Sequence, residues 1–278
     1  AVKFDQLQVL VLDEADRMLD LGFADELDQI FAALPKQRQT LLFSATFSSE
    51  IRSLSSELLR DPLRIDISPP NTAAKSVRQW IITVDKKRKT ELFIHLLRRE
   101  QWGQVLVFAK TRNSVDQLTE SLTAEGFTAD AIHGDRPQPS RLRALARFKA
   151  AEVQILVATD VAARGLDIDA LPLVVNLDLP IVAEDYIHRI GRTGRAGASG
   201  EALSLVSADE ARQLAAIETL TQQLLKREIE PGFAPVHKVP VTAPGGQLIK
   251  KPKKPKKPKE QGRKGKSPIH LGNWFEEK

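Results

Sequence analysis

Short apolar segments alternate with longer amphipathic segments along most of the chain. The short segments are rich in Val, Leu and Ile, and we predict strands over residues 9–12, 40–46, 63–67, 80–84, 105–109, 155–159, 173–177 and 202–206. Most of them are continuously apolar, which is typical of parallel strands buried on both faces. Helical spacing of apolar residues predicts helices over 24–33, 48–60, 87–99, 112–125, 138–149, 183–190 and 208–227. This alternation predicts an α/β fold built on parallel sheets.

The chain divides at a polar segment, residues 68–72, which contains two prolines and has no periodicity. Such a segment is typical of a linker, and we place the linker at 68–78. Two or three strands precede it, too few for a complete α/β domain. We therefore expect residues 1–67 to be the C-terminal part of a first domain whose beginning lies outside the chain. Residues 79–228 are predicted to form a second, complete domain.

The C-terminal residues 229–278 have a different composition, dominated by Pro, Gly and Lys. Residues 250–266 contain ten Lys or Arg and one Glu, whereas the whole chain has a net charge of +5, so the remainder is mildly acidic. This composition buries too little apolar surface to fold, and the KKPKKPKKPK repeat has the period of polyproline II. We expect a disordered, extended basic arm that either binds polyanions or acts as a solubilising tail.

Composition excludes several kinds of site. The chain has no cysteine, so it has neither disulfides nor thiolate metal ligands. No apolar run approaches the length of a membrane-spanning helix, and no signal peptide begins the chain. These features are those expected of a cytoplasmic protein without a membrane partner.

Carboxylates follow the first predicted strand in the tetrapeptide DEAD. Ligands bind at the carboxyl ends of parallel strands, so Asp13 is a candidate to hold Mg²⁺ through water. Glu14 is a candidate to orient or deprotonate an attacking water. Ser44 and Thr46 end the next strand, where their hydroxyls could bond to Asp16. Taken alone, the acids could equally form a turn at a helix start, and the hydroxyls an ordinary helix cap.

Arginines and glycines alternate in the segment YIHRIGRTGRAG. Arg189, Arg192 and Arg195 recur every three residues, with glycines between them. Glycine destabilises a helix interior by about 1 kcal/mol relative to Ala, so three glycines argue against a merely solvated helix face. Arginine side chains present paired donors that suit phosphate oxygens. His188 alone would be interpreted as a core histidine, but beside these arginines it is a candidate link to the DEAD strand.

The segment VATDVAARGLDI combines a strand end with a glycine turn. Thr159 ends the strand, where it could bond to a phosphate of a nucleic-acid backbone. Asp167 follows the turn at Gly165 and could hold a ribose hydroxyl or a metal-bound water. A plain strand, cap and turn would account for the same residues.

The segment AIHGDRPQPSRLRALARFK begins with a strand and a turn at Gly134. A basic helix follows, in which Gln138 and Arg141 lie one turn apart near its start. Arg143 and Arg147 of the same helix could simply belong to its solvated face.

As a set, these motifs resemble those of the DEAD-box RNA helicases, in particular the bacterial RhlE type. The resemblance covers about residues 1–227. It is carried, in the family's order, by DEAD (13–16), SAT (44–46), VLVFAKT (105–111), HGD with QxxR (133–141), ARGLD (163–167) and HRIGRTGR (188–195).

The resemblance implies two RecA-like domains, the first incomplete in this chain, that close around ATP and single-stranded RNA. Asp13 and Glu14 would serve Mg²⁺ and the hydrolytic water, with Arg192 and the arginine finger Arg195 opposite. The residues implied to couple ATP state to domain closure are Asp16, Ser44, Thr46 and His188. Those implied to contact ATP from the second domain are Gly165, Asp167, Arg192 and Arg195. Those implied to contact the RNA backbone are Thr111, Gly134, Gln138, Arg141 and Thr159.

Contacts to sugar and phosphate position RNA without identifying its sequence. The resemblance therefore implies local unwinding of RNA duplexes, or remodelling of ribonucleoprotein complexes, with little sequence specificity. Ribosomal or messenger RNA complexes are the partners it suggests, and the protein is expected to be monomeric.

A phosphate-binding loop of the form GxxxxGK[ST] is missing from the sequence. Its last three residues occur at 265–267, but Glu260 stands where the first glycine is needed, within the basic arm. We therefore expect this chain alone to hydrolyse ATP poorly, although the whole protein would be an ATP-dependent RNA helicase. Two alternatives remain: a DNA helicase of the same superfamily, and an RNA-binding module that works without hydrolysis.

Overall fold

The computed structural model describes residues 3–44, 47–66, 77–164, 166, 168, 171–194 and 200–243. A small first sheet pairs β1 (Val9–Leu12) with β2 (Gln39–Leu42) in parallel. Its helices are α1 (Ala15–Asp20), α2 (Ala24–Ala32) and α3 (Ser49–Leu58). Ala15, Ile51 and Leu54 form the centre of a small apolar cluster between α1 and α3.

A larger second sheet follows, with all of its strands parallel. Its strands are β3 (Val77–Thr83), β4 (Val105–Phe108), β5 (Ala129–Ile132), β6 (Ile155–Ala158), β7 (Leu173–Asn176), β8 (Gly200–Val206) and β9 (Lys226–Glu228). Their spatial order is β5-β6-β4-β7-β8-β3-β9. The helices are α4 (Lys89–Glu100), α5 (Arg112–Ala124), α6 (Gln138–Lys149), α7 (Asp160–Ala163), α8 (Ala183–Ile190) and α9 (Ala211–Thr221), with 3₁₀ turns at Lys86–Arg88 and Ala208–Glu210.

Helices cover both faces of the second sheet. Val105 and Val107 of β4 pack with the apolar residues of α4 and α5 on one face, while Leu106 and Phe108 pack with α6 on the other. Helices α8 and α9 extend that second layer over β3 and β8. The α/β architecture with parallel sheets is confirmed, and the continuously apolar strands are explained by burial on both faces.

The first sheet differs from this expectation. Val9 and Val11 of β1 are 48% and 54% exposed, because α1 and α3 cover one face only in the described residues. The predicted strand at 63–67 does not form in its described part. Residues 62–66 have no regular structure, and Leu63 is 86% exposed. An apolar run forms a strand only when a neighbouring strand can pair with it.

The second domain continues beyond residue 228, where the disordered arm was expected to begin. Phe233 and Val239 are buried in the two cores, and the Thr242 hydroxyl bonds to the buried carboxylate of Glu218. The predicted boundary is therefore too early, since the packed domain reaches at least residue 243. The Lys-rich part of the arm and most of the predicted linker lie outside the described residues.

Within the described ranges, no helix is both long and apolar enough to cross a bilayer.

Candidate functional site: the cleft between the two domains

The DEAD tetrapeptide and Ser44 lie next to each other at the carboxyl edge of the first sheet. The Phe43 amide donates to the carbonyl oxygen of Leu12 at 2.7 Å, and the Ala15 amide donates to that of Phe43 at 3.0 Å. These two bonds continue the parallel pairing past the strand ends. The ends of β1 and β2 are therefore adjacent, as the sequence predicts.

Glu14 has a left-handed backbone, with φ 51° and ψ 45°. This region is unfavourable for a residue with a Cβ, and residues held there cluster at functional sites. Its amide donates to Oδ1 of Asp13 at 2.9 Å, which fixes the exposed Asp13 carboxylate at the end of β1. The strained turn places two carboxylates in succession at the sheet edge.

A cleft of about 370 Å³ separates the DEAD end of the first domain from α8 of the second. Asp16 and His188, two of the predicted coupling residues, both line it. The remaining lining residues come from α1, the start of α3 and the start of α8, and they are Arg17, Leu19, Asp20, Ser48, Glu50, Ile51, Val182, Glu184 and Asp185. His188 and the DEAD end therefore border the same cleft, and the role of His188 in coupling stays a prediction.

An arginine from each domain approaches Asp185. Nη1 of Arg17 lies 3.6 Å from Oδ1 of Asp185, and Nη2 of Arg164 bonds to the same oxygen. Burial raises the pKa of Asp185, an effect that the guanidinium of Arg17 opposes. The pKa of Asp20 is also raised, chiefly by burial and further by the nearby carboxylates of Asp16 and Asp185. The guanidinium of Arg17 opposes this increase. The cleft wall is therefore acidic, with Arg17 as the cation that joins its two sides.

The arginines of the HRIGR segment have different environments. The Arg189 side chain is 2% exposed and is bonded twice to Asp160, at 2.5 and 2.8 Å. It also donates to Oδ1 of Asn176 at 3.0 Å. Arg192 is partly exposed and donates to the carbonyl oxygen of Leu166 at 3.0 Å. Arg189 is thus a structural residue of the second domain and cannot reach a phosphate, contrary to the expectation from its spacing.

Three of the predicted RNA-binding residues follow neighbouring strands: Thr111 follows β4, Gly134 follows β5 and Thr159 follows β6. The Thr159 amide donates to the carbonyl oxygen of Ile132 at 3.3 Å, which joins two of these ends. The structure therefore brings these residues to one edge of the sheet.

The local bonds of these residues show how each is held. Oγ1 of Thr111 accepts from the Ser114 amide at 3.1 Å and so caps α5. On α6, Nη1 of Arg141 donates to Oε1 of Gln138 at 2.9 Å. A Cβ at Gly134 would meet the guanidinium of Arg112 at 3.6 Å, so this turn lies directly beneath a basic side chain.

Four predicted site residues, Thr46, Gly165, Asp167 and Arg195, lie outside the described residues. The sequence analysis missed Arg17 and Asp185, since no motif spacing relates residues that meet only between domains. It also missed the buried cation Lys89, for which the sequence gives no signal beyond a lysine at the start of an amphipathic helix.

Two family models match the chain: the DEAD/DEAH box helicase over residues 1–54 and the helicase conserved C-terminal domain over residues 88–197. The ATP-dependent RNA helicase RhlB of Pseudomonas syringae is 42% identical over 85% of this chain and 59% of its own length. A solved structure of the E. coli DEAD-box protein SrmB, bound to regulator of ribonuclease activity A, matches with 34% identity and a TM-score of 0.54. The match covers 59% of this chain and 98% of the matched chain in that structure.

The two parallel-sheet domains, with a DEAD end facing an arginine-bearing helix, are RecA-like helicase domains. The chain belongs to the DEAD-box family of ATP-dependent RNA helicases. It spans about 59% of the length of RhlB. The assignment to the RhlE type stays a prediction.

The domain arrangement can be compared with two structures of S. cerevisiae Dbp5. Each match covers 82% of this chain and 61% of the Dbp5 chain. The TM-score is 0.74 for Dbp5 bound to RNA and ADP BeF3, at 30% identity. It is 0.56 for a Dbp5 variant bound to Nup159, Gle1, IP6 and ADP, at 28% identity. The present structure is therefore more similar to the one that contains RNA and ADP BeF3.

Proposed function

We propose that this chain is the larger part of an ATP-dependent RNA helicase, in which closure of the cleft between the two domains couples ATP to the remodelling of RNA. The single observation that carries the proposal is the cleft itself. It sets Asp16 and Arg17, which adjoin the proposed catalytic carboxylates, against His188 and Asp185 of α8. The greater similarity to Dbp5 bound to RNA and ADP BeF3 supports a domain arrangement like the one found with RNA and nucleotide.

The DEAD end fits a hydrated Mg²⁺ ion. In the described part of the chain, no three His, Cys, Asp or Glu side chains are grouped to hold a metal ion. Mg²⁺ does not need such a group, because it keeps several waters and is bound by one or two carboxylates together with substrate phosphates. ATP with Mg²⁺ would supply the phosphoryl group and neutralise its charge. Asp13 would hold the ion through water, and Glu14 would orient or deprotonate the attacking water.

The second domain would supply the opposing charge and the RNA site. Arg192 and Arg195 would face the phosphates, and Gly165 and Asp167 would contact the nucleotide. Thr111, Gly134, Gln138, Arg141 and Thr159 would hold the RNA backbone along the edge formed by β4, β6 and β5. Since such contacts involve sugar and phosphate, binding would be largely independent of RNA sequence.

Competition binding tests the RNA-binding part of this proposal. Single-stranded RNA and DNA of the same length and sequence would compete for the full chain, with Thr159→Val as the site variant. We expect RNA to win and Thr159→Val to weaken RNA binding. Equal binding of the two nucleic acids would instead favour a DNA helicase or a nonspecific polyanion-binding module.

A further inference from the structure

Lys89 is a buried cation at the carboxyl edge of the second sheet. Its side chain is 4% exposed. Its ammonium lies 2.6 Å from Oε2 of Glu210, 2.7 Å from the carbonyl oxygen of Leu177 and 3.3 Å from Oδ1 of Asp178. Three acceptors match the three protons of a lysine ammonium. A buried charge is tolerated when it is paired and hydrogen-bonded in this way.

Asp178 connects this cation to the loop after β4. While Oδ1 faces Lys89, Oδ2 accepts from the backbone amide of Lys110 at 3.0 Å. Lys110 directly precedes Thr111. The carboxylate is therefore held on one side by a buried cation and fixes, on the other, the start of a proposed RNA-binding loop.

The backbone of Asp178 connects the same cluster to the loop after β6. Its carbonyl oxygen accepts from Nη1 of Arg189 at 2.6 Å. Arg189 in turn holds both carboxylate oxygens of Asp160, which directly follows Thr159. A single set of polar contacts, buried at Lys89 and exposed at Lys110, thus runs from Lys89 to the neighbours of both Thr111 and Thr159.

Stability alone does not require such a cluster. Apolar residues of similar volume often replace a buried ion pair without loss of stability. A fully satisfied polar network does, however, rigidify the groups that it joins, and a binding site works best when supporting residues lock its contacts in place.

We infer that Lys89 is a positioning residue for RNA binding. Acting through Asp178 and Arg189, it fixes the loops that carry Thr111 and Thr159, so that both can contact the backbone of one RNA strand. This inference rests on the proposed function of that edge of the sheet, and it adds a buried residue that does not itself touch RNA.

The test compares Lys89→Met with Lys87→Met in the full chain. Lys87 is exposed on the 3₁₀ turn that directly precedes α4, so its variant loses the same charge without disturbing the cluster. Affinity for a single-stranded oligouridylate is measured at two salt concentrations, because binding by the basic arm weakens steeply with salt. We expect Lys89→Met to bind about tenfold more weakly, as for a lost charged hydrogen bond, and Lys87→Met to bind like the wild type.

Amide hydrogen exchange separates positioning from global destabilisation. The Lys110 amide should exchange faster in Lys89→Met, while the amides of β6 keep their protection. Unchanged affinity, or weaker binding accompanied by loss of protection throughout β6, would overturn the inference. If Lys89→Met does not fold, Asp178→Asn carries the same test, because it leaves Lys89 bonded to Glu210 and Leu177.

Thr159→Val distinguishes failure of this inference from failure of the proposed function. If Thr159→Val weakens binding and Lys89→Met does not, Lys89 has no positioning role although the RNA site is real. If Thr159→Val has no effect, the RNA site is wrongly placed and the inference falls with it.

Discussion

Arg17 of the first domain and Asp185 of the second lie 3.6 Å apart, Nη1 to Oδ1. Arg17 directly follows the DEAD tetrapeptide, and Asp185 lies in the first turn of the helix that carries His188. The pair therefore joins the elements that the proposed mechanism must bring together. Because Arg164 also bonds to Asp185, this one carboxylate is shared by arginines of both domains.

We predict that Arg17→Ala shifts the chain toward an open arrangement, because it leaves the acidic sides of the cleft without their bridging cation. The chain has no cysteine, so Ser56→Cys and Glu120→Cys would introduce unique labelling sites on exposed positions of α3 and α5. Energy transfer between two dyes should report a longer mean distance in Arg17→Ala. Arg143→Ala, which removes an exposed arginine of α6, should leave the distance unchanged.

A double-mutant cycle with Asp185→Asn would show whether this contact itself is responsible. We expect a coupling free energy between Arg17 and Asp185 on the order of 1 kcal/mol for the equilibrium between open and closed arrangements. Additive effects of the two substitutions would mean that each residue acts independently of the other.

A second prediction separates two arginines of one motif. Arg189→Leu should destabilise the second domain by about 3–5 kcal/mol, because it leaves the Asp160 carboxylate without its buried partner. Arg192→Leu should cost clearly less, because Arg192 is partly exposed and the Leu166 carbonyl oxygen to which it donates is no buried charge, while weakening nucleotide-dependent activity of the proposed helicase. Chemical denaturation monitored by circular dichroism would measure both, and equal losses would contradict the assignment of Arg189 to the interior.

This contrast shows what spacing in a sequence can and cannot predict. The helices over 138–149 and 183–190 are predicted to the residue, because their apolar periodicity is set by the sheet on which they pack. The end of α8 at Ile190 was thus predicted as well, but the even spacing of the arginines did not show how that end would separate them. Arg192 therefore lies in the following turn, whereas Arg189 points from the last helical turn into the core. Equal spacing along the chain did not produce equal exposure.

The C-terminal boundary was mispredicted for a related reason. Isolated apolar residues such as Phe233 and Val239 show no periodicity, so composition alone suggested disorder. They are buried because they pack against separate parts of the domain. The ring of Phe233 lies 5.2 Å from the ring of His95, and Val239 packs in the apolar cluster of α8 and α9. The resemblance implied that two domains face each other, but the contact of Arg17 with Asp185 was beyond prediction, since it depends on how the two domains meet.

A third prediction concerns catalysis by this chain alone. It lacks a GxxxxGK[ST] loop, so nothing in it would cradle the phosphates opposite Asp13 and Glu14. We expect no RNA-stimulated ATP hydrolysis above the level of a Glu14→Gln control in a steady-state phosphate-release assay. Activity that Glu14→Gln abolishes would show that these 278 residues form a working site by themselves.

A fourth prediction concerns the basic arm. Deletion should begin after residue 243, because residues 229–243 belong to the folded domain. The logarithm of the RNA association constant should then fall less steeply with the logarithm of salt concentration, by ~0.7 for each RNA phosphate that the arm neutralises in the intact chain. Replacing the seven lysines of residues 250–259 by Gln preserves the length of the arm and should reproduce most of the change. An unchanged slope would place the electrostatic contacts elsewhere.

The last prediction concerns Asp85, whose carboxylate anchors the segment after β9. Its two oxygens accept from the amides of Val236 at 2.9 Å and His237 at 3.2 Å, and these bonds lower the pKa of Asp85 below its ordinary value of 3.8. An acid with a lowered pKa in the folded state stabilises that state fully above its ordinary pKa, and the contribution is lost as pH falls through the lowered value.

We therefore expect the Val236 and His237 amides to stay protected from hydrogen exchange at neutral pH and to lose protection below about pH 4. Rates would be corrected for the intrinsic effect of pH and referred to the amides of β8, which should remain protected. In Asp85→Asn the loss of protection on acidification should disappear, because the remaining amide side chain does not titrate. If the wild type and Asp85→Asn responded alike to acid, another group would hold residues 236–237 in place.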